Sequence, residues 1–227
     1  VEKLNGMFAF AIWDGEKKSL FMARDRLGIK PLYYFWDGGK FVFASEIKAI
    51  LEEKTIRKEL DEEILVDYLT FHNMVDDKSL FKGIKILPPG SYARLSQGKF
   101  TVKQYWELEF LKKKNCQNIK EAENYSDKFR EIFQASVERH IISDVPLGSY
   151  LSGGFDSSSV AMIASQKIQK KISTFTGAFK EGPDYDETPV AREIANMIKA
   201  ETNEIFLTPE DFKDSINKII YHLDEPR

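Results

Sequence analysis

Residues Pro146–Ser159 read P-L-G-S-Y-L-S-G-G-F-D-S-S-S, and the fold turns on how that stretch is built. Val145–Leu151 is apolar and small, as a buried strand requires. From Ser159 the chain continues V-A-M-I-A-S-Q-K-I-Q-K, the spacing of an amphipathic helix. Between the two lie paired glycines, an aspartate and a run of serines. A strand that turns sharply into a helix leaves the backbone N–H groups of Ser152–Ser158 unpaired and facing outward. Without a Cβ at Gly153 or Gly154, an anion can approach the main chain, and the helix dipole favours its negative charge. The stretch predicts an anion cradle at the end of a strand.

The chain on either side fits that prediction. Ser126–Ile142 predicts a helix, with Phe129, Ile132, Phe133, Ser136, Val137 and His140 along one side. After the loop the expected order is helix Ser157–Lys170, strand Ile172–Ala178, helix Glu187–Lys199, strand Thr202–Leu207 and helix Pro209–Leu223. Strands alternating with helices at this spacing imply a parallel sheet, and such sheets bind ligands beyond the carboxyl ends of their strands. Ser152–Ser158, Gly177–Asp186 and the chain after Leu207 should all reach that edge. Asp184 and Asp186 precede a helix and are read as helix caps.

The first half follows a different pattern. Phe8–Trp13, Ser19–Arg24, Leu32–Trp36 and Lys40–Ser45 read as short strands joined by Asp/Gly turns. Ser91–Leu95 and Phe100–Trp106 form a further hairpin around Gln97-Gly98. Helices are expected at Ser45–Leu51, capped by Ser45, and at Asp61–Phe71, with Ile64, Leu65, Tyr68 and Leu69 on one stripe. Arg24, Asp25 and Arg26 could form a site, but are read instead as a buried or interdomain ion pair that fixes the loop before Gly28. Glu107–Asn124 lacks a clean period and reads as a connector. The expected division is therefore 1–106, a linker at 107–124, and 125–227. The fold class is α+β followed by α/β.

Composition excludes several functions. The 227 residues carry a net charge of −3 with Lys+Arg and Asp+Glu nearly balanced, so no nucleic-acid face is expected. The basic runs Lys112–Lys114 and Lys170–Lys171 read as solvated surface. Cys116 is the only cysteine, which excludes an internal disulfide and suits a reducing cytoplasm. No apolar run reaches membrane-spanning length. Three scattered histidines (His72, His140, His222) give no metal or triad spacing. The chain opens on Val1 and stops at Asp224-Glu225-Pro226-Arg227, and both ends are expected to be cut.

The loop has no lysine and lacks the G-x-x-x-x-G-K-[ST] pattern. S-G-G-x-D-S-S instead resembles the pyrophosphate loop of enzymes that cleave ATP between its α- and β-phosphates. L-N-G-M-F-A-F-A-I-W-D at Leu4–Asp14 and A-R-D-R-L-G-I-K-P-L-Y-Y at Ala23–Tyr34 resemble the last third of the glutaminase domain of glutamine-dependent asparagine synthetases. S-E-I-K-A-I, L-P-P-G-S-Y and S-D-V-P-L-G-x-x-L-S-G-G-x-D-S-S continue that resemblance across nearly the whole chain. It implies an antiparallel glutaminase remnant, then an incomplete parallel-sheet domain of the adenine nucleotide alpha hydrolase-like type. The implied activity is ATP-dependent amidation of aspartate through β-aspartyl-AMP, with ammonia drawn from glutamine.

Site roles follow from the loop and the resemblance together. The backbone of Ser152, Gly153, Gly154, Asp156, Ser157 and Ser158, with the three serine hydroxyls, would hold the pyrophosphate. Asp156 would meet it through Mg²⁺. Leu151 and Gly177 would flank the adenosine, although Gly177 is equally read as a turn residue. Asp224-Glu225-Pro226 would lie at the rim of the same edge. The family's N-terminal cysteine and its second S-G-E-G-x-D-E loop are not in this sequence. Neither glutamine hydrolysis nor full turnover is therefore expected of it alone. No membrane is implied, and a homodimer of the complete parent stays open. So do a β-lactam-forming or peptide-cyclising relative and a non-catalytic nucleotide-binding scaffold. A tRNA sulfur-transfer enzyme would call for a basic face and more cysteines.

Overall fold

The computed structural model describes residues 1–74, 76–110, 118–168, 171–179 and 186–225. Lys112–Lys114, Cys116, Lys170, Asp184 and Pro226 fall outside them. The chain divides into two compact units, Val1–Leu111 with Asn217–Arg227, and Lys112–Ile216. Among the described residues no helix is long and apolar enough to cross a membrane.

The first unit is antiparallel. β1 (Ala9–Asp14), β2 (Ser19–Arg24), β6 (Ser91–Ser96) and β7 (Lys99–Gln104) form one sheet in the order β1-β2-β6-β7. β3 (Tyr33–Trp36), β4 (Phe41–Ala44) and β5 (Ile84–Ile86) form another in the order β4-β3-β5. The two-residue period of β3 sends its side chains into two different cores. Tyr34 packs with Leu20, Met22, Leu87 and Ala93. Tyr33 packs with Ile47, Ile50, Ile56 and Ile84. The sheet containing β3 is thus buried on both faces, which is why a strand as aromatic as Y-Y-F-W is accommodated there.

Helix α2 (Glu62–Phe71) starts as expected: the Asp61 side chain accepts from the Ile64 N–H at 3.3 Å. Helix α1 (Ile47–Ile50) does not. Glu46 occupies its cap position without a side-chain bond, and Ser45 does not cap it. The cap comes instead from Asp224, whose carboxylate accepts from the N–H groups of Ile47 (2.7 Å) and Lys48 (3.2 Å).

Arg24 and Asp25 fix the loop around Gly28 by bonding to main-chain groups. Arg24 donates to the carbonyls of Lys30, Leu87 and Gly28. Asp25, 1% exposed, accepts from the N–H groups of Phe8, Leu27, Ile29 and Lys30. Burial alone would raise the Asp25 pKa. The bonds from Lys30, Ile29, Phe8 and Leu27 outweigh it and hold the carboxyl below its ordinary 3.8. A depressed carboxylate stabilises the fold above its unfolded pKa, and that stabilisation is lost as pH falls through the lower folded value. Asp25→Asn should therefore cost about 3 kcal/mol at neutral pH and remove part of the stability loss below about pH 4. Urea unfolding followed by tryptophan fluorescence tests this directly, because Trp13, Trp36 and Trp106 all lie in this unit.

The second unit carries a parallel sheet of β8 (Gly148–Tyr150), β9 (Ser173–Phe179) and β10 (Glu201–Leu207), ordered β10-β9-β8. Helix α3 (Ile119–His140) packs on α4 (Phe155–Lys167), α4 on β8, and α5 (Thr188–Met197) on β9 and β10. On β9 the buried side chains are Thr174, Thr176 and Ala178, while Phe175, Gly177 and Phe179 face the other way. Helix α3 begins seven residues earlier than its apolar stripe predicts. The Asn118 side chain accepts from the Glu121 N–H at 2.9 Å and draws the end of the expected connector into the helix. Glu187, not Asp186, occupies the cap position of α5, without a side-chain bond; Asp186, one residue earlier, accepts from the Thr188 N–H and hydroxyl. Helix α6 (Pro209–Leu223) opens with Thr208 and Asp211 bonding reciprocally, side chain to main chain. The boundary between the units falls within α6.

Candidate active site

The predicted loop sits where β8 gives way to α4. Leu151 ends the strand: its N–H donates to the Phe175 carbonyl at 2.9 Å, and its carbonyl accepts from the Thr176 hydroxyl at 2.7 Å. Its side chain is 1% exposed, packed with Ala161, Ala191 and Ala195. Leu151 therefore offers only its main chain to a ligand. Thr176 was not singled out in the sequence. A threonine buried among apolar positions of the neighbouring strand is the signal that could have marked it.

Gly153 has φ +80°, and a Cβ there would meet Val190 Cβ at 3.0 Å and the Ala191 nitrogen at 3.2 Å. Glycine is required at this position by the backbone and by the close passage of α5, before any ligand is considered. Gly154 is different: a Cβ would meet only the Ser152 hydroxyl, at 3.3 Å.

The expectation that every N–H from Ser152 to Ser158 points outward is corrected. The Ser152 N–H donates to Ser157 Oγ (3.2 Å), the Gly154 N–H donates to Ser152 Oγ (3.3 Å), and the two hydroxyls lie 3.0 Å apart. The Ser158 N–H begins the helical ladder by donating to the Gly154 carbonyl. Serine side chains are short enough to turn back on their own turn, and here they do. The N–H groups of Gly153, Phe155, Asp156 and Ser157 have no acceptor among the described residues. The N–H groups left without acceptors are thus fewer than the motif suggests, and most lie in the first turn of α4.

Two side chains at this turn lack partners among the described residues. Ser158 is 9% exposed, and its Oγ is buried without a hydrogen bond. Asp156 lies in the first turn of α4 with its carboxylate exposed. An exposed carboxylate beside free N–H groups fits a cation shared with an anionic ligand, because Mg²⁺ is commonly held by one or two carboxylates plus phosphate oxygens. No cluster of three or more His, Cys, Asp or Glu side chains occurs among the described residues. A cavity of about 360 Å³ borders Asp156 and Phe155 on the side of Phe129, Arg130 and Phe133.

Gly177 lies on the exposed face of β9, opposite Ile205, with nothing within 4 Å of an added Cβ. Residues 180–185, which the sequence carries to the same edge, are outside the described set. Asp224 and Glu225 belong to the first unit. His72 ends α2 in the left-handed region, and His140 Nδ1 lies 2.8 Å from the Ser136 carbonyl.

An antiparallel unit is followed by a unit built on a parallel sheet, and comparison with known proteins finds a match for each part. Residues 1–106 match the glutamine amidotransferase domain family, and residues 128–227 match the asparagine synthase family. The chain is 35% identical to asparagine synthetase 1 (glutamine-hydrolysing) of Bacillus subtilis, over 99% of its own length and 34% of the relative's. Asparagine synthetase 3 of the same organism is 30% identical, over all of the chain and 38% of the relative. Amidase chyE of Penicillium rubens is 31% identical, over all of the chain and 35% of the relative. The chain is similar to glutamine-hydrolysing asparagine synthetases along its whole length, and spans about a third of the length of these relatives.

Proposed function

We propose that the complete protein makes asparagine from aspartate, ATP and glutamine-derived ammonia, and that this chain supplies its pyrophosphate loop. The loop then belongs to a domain of the adenine nucleotide alpha hydrolase-like type, and the first unit is the later part of the glutaminase domain. The supporting observation is the first turn of α4. Free N–H groups, an unpartnered buried hydroxyl at Ser158 and an exposed carboxylate at Asp156 meet there at a strand's carboxyl end.

In this reading an aspartate β-carboxylate oxygen attacks the α-phosphorus and the bond to the bridging oxygen breaks. Pyrophosphate departs with the bonding electrons. Ammonia then attacks the acyl carbon, releasing AMP and a proton. The N–H groups of Phe155, Asp156 and Ser157, aligned with the helix dipole, hold the negative charge of the departing diphosphate. The Ser152 and Ser157 hydroxyls, now bonded to each other, can rotate to donate to phosphate oxygens. The main chain at Leu151 and the open face at Gly177 border the adenosine. When bound, Mg²⁺ neutralises phosphate charge, and Asp156 is the residue that would hold it. No side chain acts as a nucleophile, so catalysis rests on alignment and charge stabilisation. A cytoplasmic location suits these soluble substrates.

In the complete protein, Asp156→Ala should lower aspartate-dependent ATP–pyrophosphate exchange at least ~100-fold while glutamine hydrolysis stays measurable. Equal loss of both activities would refute the assignment. The kinship with amidase chyE favours a second reading, in which the acceptor is another carboxylate. Exchange supported by other carboxylic acids but not by aspartate would select it.

A further inference from the structure

The sequence places a side-chain carbonyl directly before a glycine nitrogen at Asn5-Gly6, Asp14-Gly15 and Asp37-Gly38, all in the first unit. Such a pair can close a five-membered imide, because glycine has no Cβ to crowd the approach of its nitrogen to the side-chain carbon. The fold treats the three pairs differently.

Asp14 and Asp37 are held in turns. Asp14 Oδ1 accepts from the N–H groups of Glu16 (3.1 Å) and Lys17 (3.0 Å), and Oδ2 lies 3.4 Å from the Lys17 ammonium. Asp37 Oδ1 accepts from the N–H groups of Lys40 (2.8 Å) and Gly39 (2.9 Å), which hold its carboxyl below the ordinary 3.8. An ionised, hydrogen-bonded carboxylate is a poor electrophile. Asn5 has neither restraint. It is exposed and uncharged, and its side chain makes no hydrogen bond among the described residues. The Gly6 N–H has no acceptor among the described residues, and a Cβ at Gly6 would meet nothing within 4 Å. Only the main chain before it is anchored, by Arg26 donating to the carbonyls of Glu2 and Leu4. Every other asparagine in the sequence precedes Met, Cys, Ile, Tyr, Glu or Lys, whose side chains crowd ring closure.

We propose that Asn5-Gly6 is a modification site, at which the asparagine deamidates without an enzyme to aspartate and isoaspartate. The Gly6 nitrogen gives its proton to hydroxide and attacks Asn5 Cγ. The new N–C bond forms, the Cγ–Nδ2 bond breaks, and Nδ2 takes up a proton and leaves as ammonia. Water then opens the imide. Opening at the main-chain side of the ring gives isoaspartate, whose backbone runs through Cγ, and opening at the other carbonyl gives aspartate. Either product adds a negative charge to the chain's −3. This inference does not depend on the proposed function.

The complete protein is incubated at mildly alkaline pH, folded and in guanidinium chloride. Mass spectrometry follows the tryptic peptide 4–17, and an isoaspartyl methyltransferase with labelled S-adenosylmethionine reports isoaspartate. Asn5 should convert at least tenfold faster than any other asparagine, faster still as pH rises, and within tenfold of its rate in the denaturant. Asn5→Gln should abolish the methyl label. A folded-state rate more than tenfold below the denatured one would overturn the proposal, because the fold would then withhold the amide or the Gly6 nitrogen. Label that survives Asn5→Gln would overturn it as well, by assigning the isoaspartate to Asp14 or Asp37. The comparison with denaturant needs no variant, so it decides even if Asn5→Gln is poorly folded.

Discussion

Gly153→Val should abolish ATP–pyrophosphate exchange in the complete protein, by more than ~100-fold, and calorimetry should find no ATP binding. Two costs combine at this position. The φ of +80° is strongly disfavoured for a β-branched residue, at about 1–2 kcal/mol or more. The new Cβ would also press on Val190 Cβ at 3.0 Å and on the main chain of α5 at the Ala191 nitrogen. Neither can be relieved without moving the turn that presents the Phe155–Ser157 N–H groups. Gly154→Ala is the matched control. That residue has no left-handed conformation to lose, and its Cβ would meet only the flexible end of Ser152. A large loss of ATP affinity in this variant would reflect blocked anion approach, because the packing is hardly disturbed. Wild-type affinity in Gly153→Val would refute the backbone cradle.

The second large effect is on stability. Gly90 has φ +61°, and a Cβ there would collide with the Trp106 carbonyl oxygen, a backbone atom and not the end of a flexible side chain. The Gly90 carbonyl accepts from the N–H groups of Tyr105 and Trp106, and its own N–H donates to the Asp25 carbonyl. Gly90→Ala must break part of this knot as well as adopt a strained backbone, and should cost about 3–5 kcal/mol. Tryptophan fluorescence during urea unfolding would register the loss, with Trp106 at the point of collision. A midpoint unchanged from wild type would contradict the close approach of Gly90 to Trp106.

What the sequence made legible was local. Helix α6 runs from Pro209 to Leu223 as read, because proline at the first helical position and the Thr208–Asp211 pair are written in adjacent residues. The β6–β7 hairpin likewise follows from Gln97-Gly98. The alternation of strands and helices after Pro146 was also legible, because it depends on periods of two and of three to four residues.

What escaped was non-local or conformational. β5 is three residues long and exists through its pairing with β3, some fifty residues earlier in the chain. The α1 cap lies 177 residues away from the helix it closes. At the site, the sequence supplied every residue of the turn but could not say which N–H groups remain free. That depends on the rotamers through which Ser152 and Ser157 bond to each other. The role of Gly153 was likewise half legible: the need for glycine was plain, but its neighbour Val190, 37 residues on, was not.

The first unit has a practical property for anyone dissecting this protein. Because Asn217–Arg227 belong with Val1–Leu111, no single cut yields that half whole. A clone ending at Leu111 would leave Ile47 and Lys48 with amide hydrogens facing a space shaped for an acid. Supplying the missing piece as a short synthetic peptide, or grafting it behind residue 111, should restore what truncation removes.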